Sequence, residues 1–258
     1  MFLQNLKSYQ DKHKGETCYI FGDGPSIKSF DYKNFTNHVG ICCGMQAFHK
    51  DFDILNIKYY CLIEPYLFYP DWMLFRKKLQ YIKKHRIITN EFRKIIKEKK
   101  EIDFFINLSN ILAIRGSNVK FAHRSLATKL KNLSHIYENN IDPFSSSIHA
   151  CLSLAQIMGF SKIYLIGFDA STMKSSGQRW YEKNGNYEDI IIDLKHVNFF
   201  NSYSKKMEIF NISHEESISH IKNSPYQKYT GKKLIYREND QLINSKYLNL
   251  LKIRYENA

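Results

Sequence analysis

Seven short apolar runs, rich in β-branched, aromatic and cysteine residues, recur along this chain. They lie at residues 18–21, 39–43, 59–63, 86–89, 104–107, 162–166 and 208–212. Segments of helical period separate several of them. Near-continuous apolar runs are what strands buried on both faces require, and helical crossovers are what parallel neighbours require. The alternation therefore predicts an α/β domain with a mostly parallel sheet. The clearest helix spans about residues 146–158, with a serine-rich start as N-cap and Gly159 as its stop. The strand after it ends in Gly167-Phe168-Asp169. Two stretches lack a clear period, residues 108–140 and 170–189. Long loops in compact α/β domains are commonly functional, and ligands bind at the carboxyl ends of the strands.

The first run leads into Gly22-Asp23-Gly24-Pro25-Ser26. Glycines let backbone approach a ligand closely, and a helix start points N–H groups at an anion. Pro25 has no N–H and fits a first helical turn. The turn is not the dinucleotide fingerprint, because Ile27 stands where a third small residue belongs and no acid follows the second strand. It is not a phosphate-binding Walker loop, since no Gly-Lys-Ser/Thr follows. A tight turn without a ligand is the competing reading.

A length of 258 residues suits one domain with a small appendage, or two small domains. The net charge of +13 favours phosphate-bearing partners: nucleotides, nucleic acids or anionic membranes. Residues 76–100 hold eleven Lys/Arg against two Glu, which is either a solvated helix face or a contact with anionic lipid or a phosphorylated carrier. A basic C-terminal segment covers residues 225–258. Its stretch 232–254 mixes Lys and Arg with Leu, Ile and Tyr and reads as an interfacial helix or as one packed on the domain. No run is long enough to span a bilayer, and residues 1–15 lack the apolar centre of a signal peptide. The five cysteines, mostly inside apolar runs, read as buried thiols of a reducing compartment. The expectation is a cytoplasmic protein able to sit at the inner membrane face. No recognisable nucleic-acid module interleaves the basic residues with aromatics, so nucleic acid is not an expected partner.

Several groups could carry chemistry. Asp51-Phe52-Asp53 has a form that can hold a divalent cation. Ser145-Ser146-Ser147 offers hydroxyls and free N–H groups at a helix start. Asp169 stands where a doubly wound sheet places a base- or ribose-binding residue, or a simple turn cap. Of ten histidines, His149, His196 and His214 lie near these elements and have a pKa suited to proton transfer.

Together these pieces resemble the bacterial sialyltransferases of glycosyltransferase family 42 and the wider set that includes flagellin-modifying motility accessory factors. The family's Gly-Asn-Gly-Pro-Ser is matched by residues 22–26, with Asp23 in the Asn place. Its Asn-Gln is matched by Met45-Gln46, and its Asn-Pro-x-Leu-Phe-Phe by Glu64-Pro65-Tyr66-Leu67-Phe68-Tyr69. The fourth block reads Ser146-Ser147, then Met158-Gly159-Phe160, then Ile163-Tyr164-Leu165-Ile166-Gly167-Phe168-Asp169. The resemblance covers roughly residues 17–70 and 145–220.

The resemblance implies one Rossmann-like, doubly wound α/β domain over residues 1–258, a GT-A-variant glycosyltransferase with a lid-like insertion at about 170–189. It implies a nucleotide-sugar donor, CMP-linked and sialic-acid-like, a surface glycan or lipid-linked acceptor, and no cofactor or required metal. It leaves room for a homo-oligomer. The implied nucleotide-binding residues are Gly22, Asp23, Gly24, Pro25, Ser26, Gln46, Glu64, Ser146, Ser147, Gly167 and Asp169. Ser171, Trp180 and Tyr181 would face the leaving phosphate from the lid. The base that takes the acceptor proton falls near Asp189, and His196 about two helical turns later is the histidine available for it. Asp23 and Glu64 depart from the family asparagines toward acids, which repel phosphate but accept hydrogen bonds from a cytosine amine or ribose hydroxyls. Archaeal pterin pyrophosphokinases share parts of the pattern, and that alternative needs Asp23, Glu64 or Asp169 as metal ligands. A non-catalytic RNA- or lipid-binding protein is the third reading.

Overall fold

The computed structural model describes residues 6–69, 79–124, 140–141, 146–169, 175–176, 178–182, 189–190, 194–214 and 221–255. Its main sheet has nine strands in the order β11-β10-β7-β1-β2-β3-β4-β5-β6, and every pairing in it is parallel. The strands are β1 (Thr17–Phe21), β2 (Val39–Cys43), β3 (Ile57–Leu62), β4 (Asp103–Asn107), β5 (Val119–Arg124), β6 (Asn140–Ile141), β7 (Lys162–Ile166), β10 (Glu208–Ser213) and β11 (Lys222–Pro225). A separate antiparallel pair joins β8 (Ser175–Ser176) to β9 (Asp189–Ile190). The helices are α1 (Leu79–Glu98), α2 (Ser147–Ile157), α3 (Leu194–Ser204), α4 (Tyr226–Thr230), α5 (Asn239–Leu242) and α6 (Ser245–Tyr255).

β1 shows why the runs had to be continuously apolar. Tyr19 and Phe21 enter one core cluster while Cys18 and Ile20 enter the other, because successive side chains point to opposite faces. The first cluster is strongly aromatic. Short 3-10 turns supply Phe30, Tyr32 and Phe35, α1 supplies Phe92 and Ile96, and α6 supplies Tyr247 and Leu251. The second cluster is built by α2, by Phe199 and Phe200 of α3, and by Leu6 and Tyr9. The high aromatic content is thus spent largely on the core. All five cysteines are buried free thiols.

Six of the seven expected strands form, within two residues of the expected bounds. Residues 86–89 do not: they lie inside α1. Ile88, Phe92, Ile95 and Ile96 repeat at helical spacing and are all buried, so burial of that stripe outweighs the β-branched preference of Ile87-Ile88-Thr89. β5 lies inside stretch 108–140, which had shown no period, and β11 was also unforeseen. The C-terminal segment packs on the domain. Tyr247 and Leu251 are buried, and α6 lies against α1, as the packed-helix reading has it. No helix among the described residues is long and apolar enough to cross a membrane.

Candidate active site

The chain runs outward from β1 through β2 to β6 and then returns to β7 on the other side of β1. The carboxyl ends of β1 and β7 therefore flank the point where strand order reverses, which is where open α/β sheets open a crevice. Residues 22–26 and 167–169 meet there. Gly22 N–H donates to Ile166 O at 2.8 Å and Gly24 N–H to Gly167 O at 2.6 Å. The glycines serve this chain-to-chain approach. A Cβ on Gly24 would lie 2.1 Å from Asp169 Oδ2 and 2.8 Å from Gly167 O. Gly167 has φ +72°, the left-handed region that favours glycine.

Pro25 opens a helix as expected, but a 3-10 turn of five residues, Pro25–Ser29. Its N-terminus already holds an anion. Asp169, 5% exposed, accepts from Ser26 N–H at 3.0 Å. Burial pushes the Asp169 carboxyl up, while the Ser26 bonds and nearby His214 pull it back. The carboxylate thus takes the position in which a phosphate was expected.

Asp23 has the same character. Its carboxylate accepts from Met45 N–H at 3.0 and 3.1 Å and from Trp180 Nε1–H at 3.1 Å. The Arg179 guanidinium stands 3.8 Å away. Burial raises the Asp23 pKa, and Arg179 is the largest influence opposing it. Gln46 is fully buried; its amide N–H donates to Gly22 O and its carbonyl accepts from Tyr32 O–H. Asp23 and Gln46 therefore tie β1 to β2 rather than projecting freely into a site.

Trp180 was expected to face a leaving phosphate, and the structure corrects this. Its side chain has no exposed surface, its backbone N–H donates to Asp23 O at 3.1 Å, and its indole N–H is taken by the Asp23 carboxylate. Tyr181 is likewise buried, with its carbonyl accepting from Asn239 Nδ2 at 3.1 Å. Lys28 Nζ, also buried, donates to Glu182 O at 3.0 Å and holds this segment from the other side.

Ser146 is the N-cap residue of α2, as expected, but its side chain makes no capping bond. Its Oγ is buried without a hydrogen-bond partner among the described residues. α2 packs across β2, β3 and β6. Glu64 follows β3, two strands from β1, with an exposed side chain. The structure thus joins Gly22, Asp23, Gly24, Pro25, Ser26, Gln46, Gly167, Asp169 and Trp180 in one packed unit. Ser171 and the side chains of Asp189 and His196 lie outside the described residues. His149 is buried with its ring 3.7 Å from that of Phe199.

Asp51 and Asp53 do not form a shared carboxylate pair. Asp51 faces Arg237 at 3.6 Å and Asp53 faces Lys99 at 2.6 Å. No group of three or more potential metal ligands occurs among the described residues.

Three residues of the site escaped sequence reasoning: Arg179, Lys28 and His49. Arg179 places an exposed cation at the crevice, and its only sequence signal was adjacency to Trp180. His49 is 1% exposed and stacked on Tyr32 at 4.1 Å. Its Nδ1 accepts from Asp51 N–H at 3.0 Å, so the ring proton sits on Nε2. Burial, helped by Arg237 and Lys50, lowers its pKa to about 3. The folded pKa then lies below the ordinary value, so the unfolded chain takes up a proton first as pH falls. Stability is fully present above about pH 6.5 and is lost from there toward pH 3. Wild type is expected to lose about 2 kcal/mol more than His49→Gln between pH 7 and 5, measured by urea unfolding. Asp23 and Asp169, raised by burial, gain stability on acidification, but they do so in both proteins. Parallel losses in the two would show that His49 is not held neutral.

No family model matches the chain, and no curated protein matches it. Among solved structures, it is similar to the MAf glycosyltransferase of Magnetospirillum magneticum AMB-1 at 14% identity and TM-score 0.45. That match covers 98% of this chain and 42% of the other, so the chain spans less than half of that protein. It is similar to the α-2,3-sialyltransferase Cst-I of Campylobacter jejuni at 17% identity and TM-score 0.46, over 93% of this chain and 94% of that one. It is also similar to the sialyltransferase CstII of Campylobacter jejuni, solved with CMP-3FNeuAc, at 15% identity and TM-score 0.48, over 92% and 99% of the two chains.

Proposed function

We propose that this protein is a glycosyltransferase that takes a sialic-acid-like sugar from a CMP-activated donor. The acceptor is a surface glycan or a lipid-linked sugar. The observation that carries the reading is the meeting of residues 22–26 and 167–169 at the switch point between β1 and β7. These are two of the four sequence blocks that carry the family resemblance, and they pack against each other. A second support is Arg179, whose exposed guanidinium suits a phosphate ester better than an uncharged ligand.

In this reading the donor lies over the crevice, with Asp23 and Asp169 shaping its floor. Arg179 faces the phosphate that departs, and charge developing on that phosphate is what it stabilises. His196 removes the acceptor proton, the role the family places after the lid. His196→Ala is then expected to lower kcat by about 10²-fold or more with CMP binding retained. Normal turnover in His196→Ala, with Asp189→Asn or His149→Ala inactive, would move the base to that other residue.

The direct test of the reading is thermal unfolding with CMP, UMP, GDP and ATP. Saturating CMP, at about 100 times its Kd, is expected to raise the midpoint by roughly 5–10 °C. A larger rise with ATP or GDP, or none with CMP, would overturn it. Metal enters as a separate test. Asp51 and Asp53 are paired with different cations rather than turned toward a common site, and Asp23 and Asp169 accept from N–H donors that a hard cation would compete with. Turnover is expected to survive EDTA. Loss of turnover that magnesium restores would favour the pyrophosphokinase-like reading instead.

A further inference from the structure

Away from the β1–β7 crevice, α1 and the loop after β4 enclose an open cavity of about 360 Å³ lined by Arg93, Ile96, Lys97, Lys100, Leu112, Ala113, Ile114 and Arg115. Four cations stand in this lining and no carboxylate does. Arg93, Lys97 and Lys100 follow one another at spacings of four and three, so they share one side of α1 and its end. Arg93 is fixed in place, donating to Ala113 O at 2.6 Å with its guanidinium 5.3 Å over the Phe68 ring.

The neighbouring basic residues are neutralised. Lys94 pairs with Glu91 at 2.5 Å and Lys99 with Asp53 at 2.6 Å. Lys97, Lys100 and Arg115 are exposed and have no ion-pair partner among the described residues. The floor is apolar, with Ile96 and Ile114 buried, and at the rim Leu112 is 76% exposed, more than any other large apolar side chain described. A free inorganic anion would be served by the cations alone. A cationic ring over an apolar floor, with a bare leucine at its edge, matches a phosphate that is attached to hydrocarbon.

We infer that this cavity seats the phosphate of an anionic membrane lipid, with Leu112 entering the acyl layer. The α1 side of the molecule is then the face set against an anionic leaflet. This gives a role to Arg93, Lys97 and Lys100 of the basic stretch 76–100, which the candidate active site does not use. The inference is independent of the transfer reaction, since β4 lies three strands from β1.

The test is sedimentation of the full chain with phosphatidylcholine vesicles, with and without phosphatidylglycerol. Binding is expected only with phosphatidylglycerol, weakening as salt rises. Lys97→Ala with Lys100→Ala and Arg115→Ala is expected to lower partitioning by on the order of 10²-fold, about fivefold per charge. Leu112→Ser changes no charge and is expected to lower it by roughly tenfold or more. Equal binding to both vesicle types, or full binding by the triple variant, would overturn the inference. So would an RNA oligonucleotide that displaces the vesicles at lower concentration than they bind, or millimolar inorganic phosphate that saturates a site on a chain the vesicles leave unbound. Should the triple variant misfold by circular dichroism, Leu112→Trp with the cations intact decides. Its emission shifts to the blue on phosphatidylglycerol vesicles if the residue inserts, and an unmoved spectrum sinks the idea.

Discussion

Trp180→Ala is expected to destabilise the protein by about 3–5 kcal/mol, the cost of emptying a fully buried aromatic site. For a chain of this length that lowers the thermal midpoint by roughly 10 °C or more. Two effects add. The indole leaves a cavity beside His49 and Tyr181, whose rings lie 5.2 and 5.3 Å from it. The Asp23 carboxylate also loses the Trp180 Nε1–H and keeps the Met45 N–H, with Arg179 at longer range. Trp180→Phe helps separate them, because it keeps most of the ring volume while removing the donor. A bond to a charged group is worth roughly 1.5–3 kcal/mol, so the Phe variant should fall between wild type and Ala. If both variants melt with wild type, residues 178–182 do not pack under the crevice as described.

Gly24→Val is expected to cost about 3 kcal/mol, a midpoint lower by roughly 5–10 °C, rather than to leave the fold intact and remove only ligand binding. A glycine read as room for a nucleotide is, in the structure, room for the chain itself. The added Cβ meets Asp169 Oδ2 at 2.1 Å and the Gly167 carbonyl oxygen at 2.8 Å. The carboxylate can swing away, but only by giving up Ser26 N–H and remaining buried without it. The carbonyl oxygen belongs to the backbone and is held by the Gly24 N–H at 2.6 Å. In an Asp169→Ala background the cost of Gly24→Val should shrink, since one of the two obstacles is gone; neighbours in contact are where additivity fails. A Gly24→Val protein that melts with wild type would show that residues 22–24 do not lie against 167–169.

The sequence by itself determined the architecture, because burial on both faces forces a pattern that can be seen residue by residue. β1, β2 and β7 carry uninterrupted apolar runs and appear where those runs are. The same logic located α2, its N-cap position and its Gly159 stop, all local backbone chemistry. It also located the two turns that build the crevice. Where two local signals conflicted, as in 86–89, the sequence misled. The helical stripe of Ile88, Phe92, Ile95 and Ile96 prevails only because a core exists for it to cover.

Only the tertiary structure decided what the polar residues of the site do. Asp23, Asp169, Gln46 and Trp180 looked like groups awaiting a ligand. Each turned out to be matched by another part of the chain 14 to 157 residues away, as in Tyr32–Gln46 and Asp23–Trp180. A buried polar group must find a partner, and whether that partner is a ligand or the protein depends on which distant segments the sheet order brings together. The order β7-β1-β2 does this, and no spacing in the chain encodes it. Arg179, Lys28 and His49 were missed for the same reason. A lone Arg, Lys or His carries no local pattern, and its role exists only once the end of one strand has been set beside the end of another.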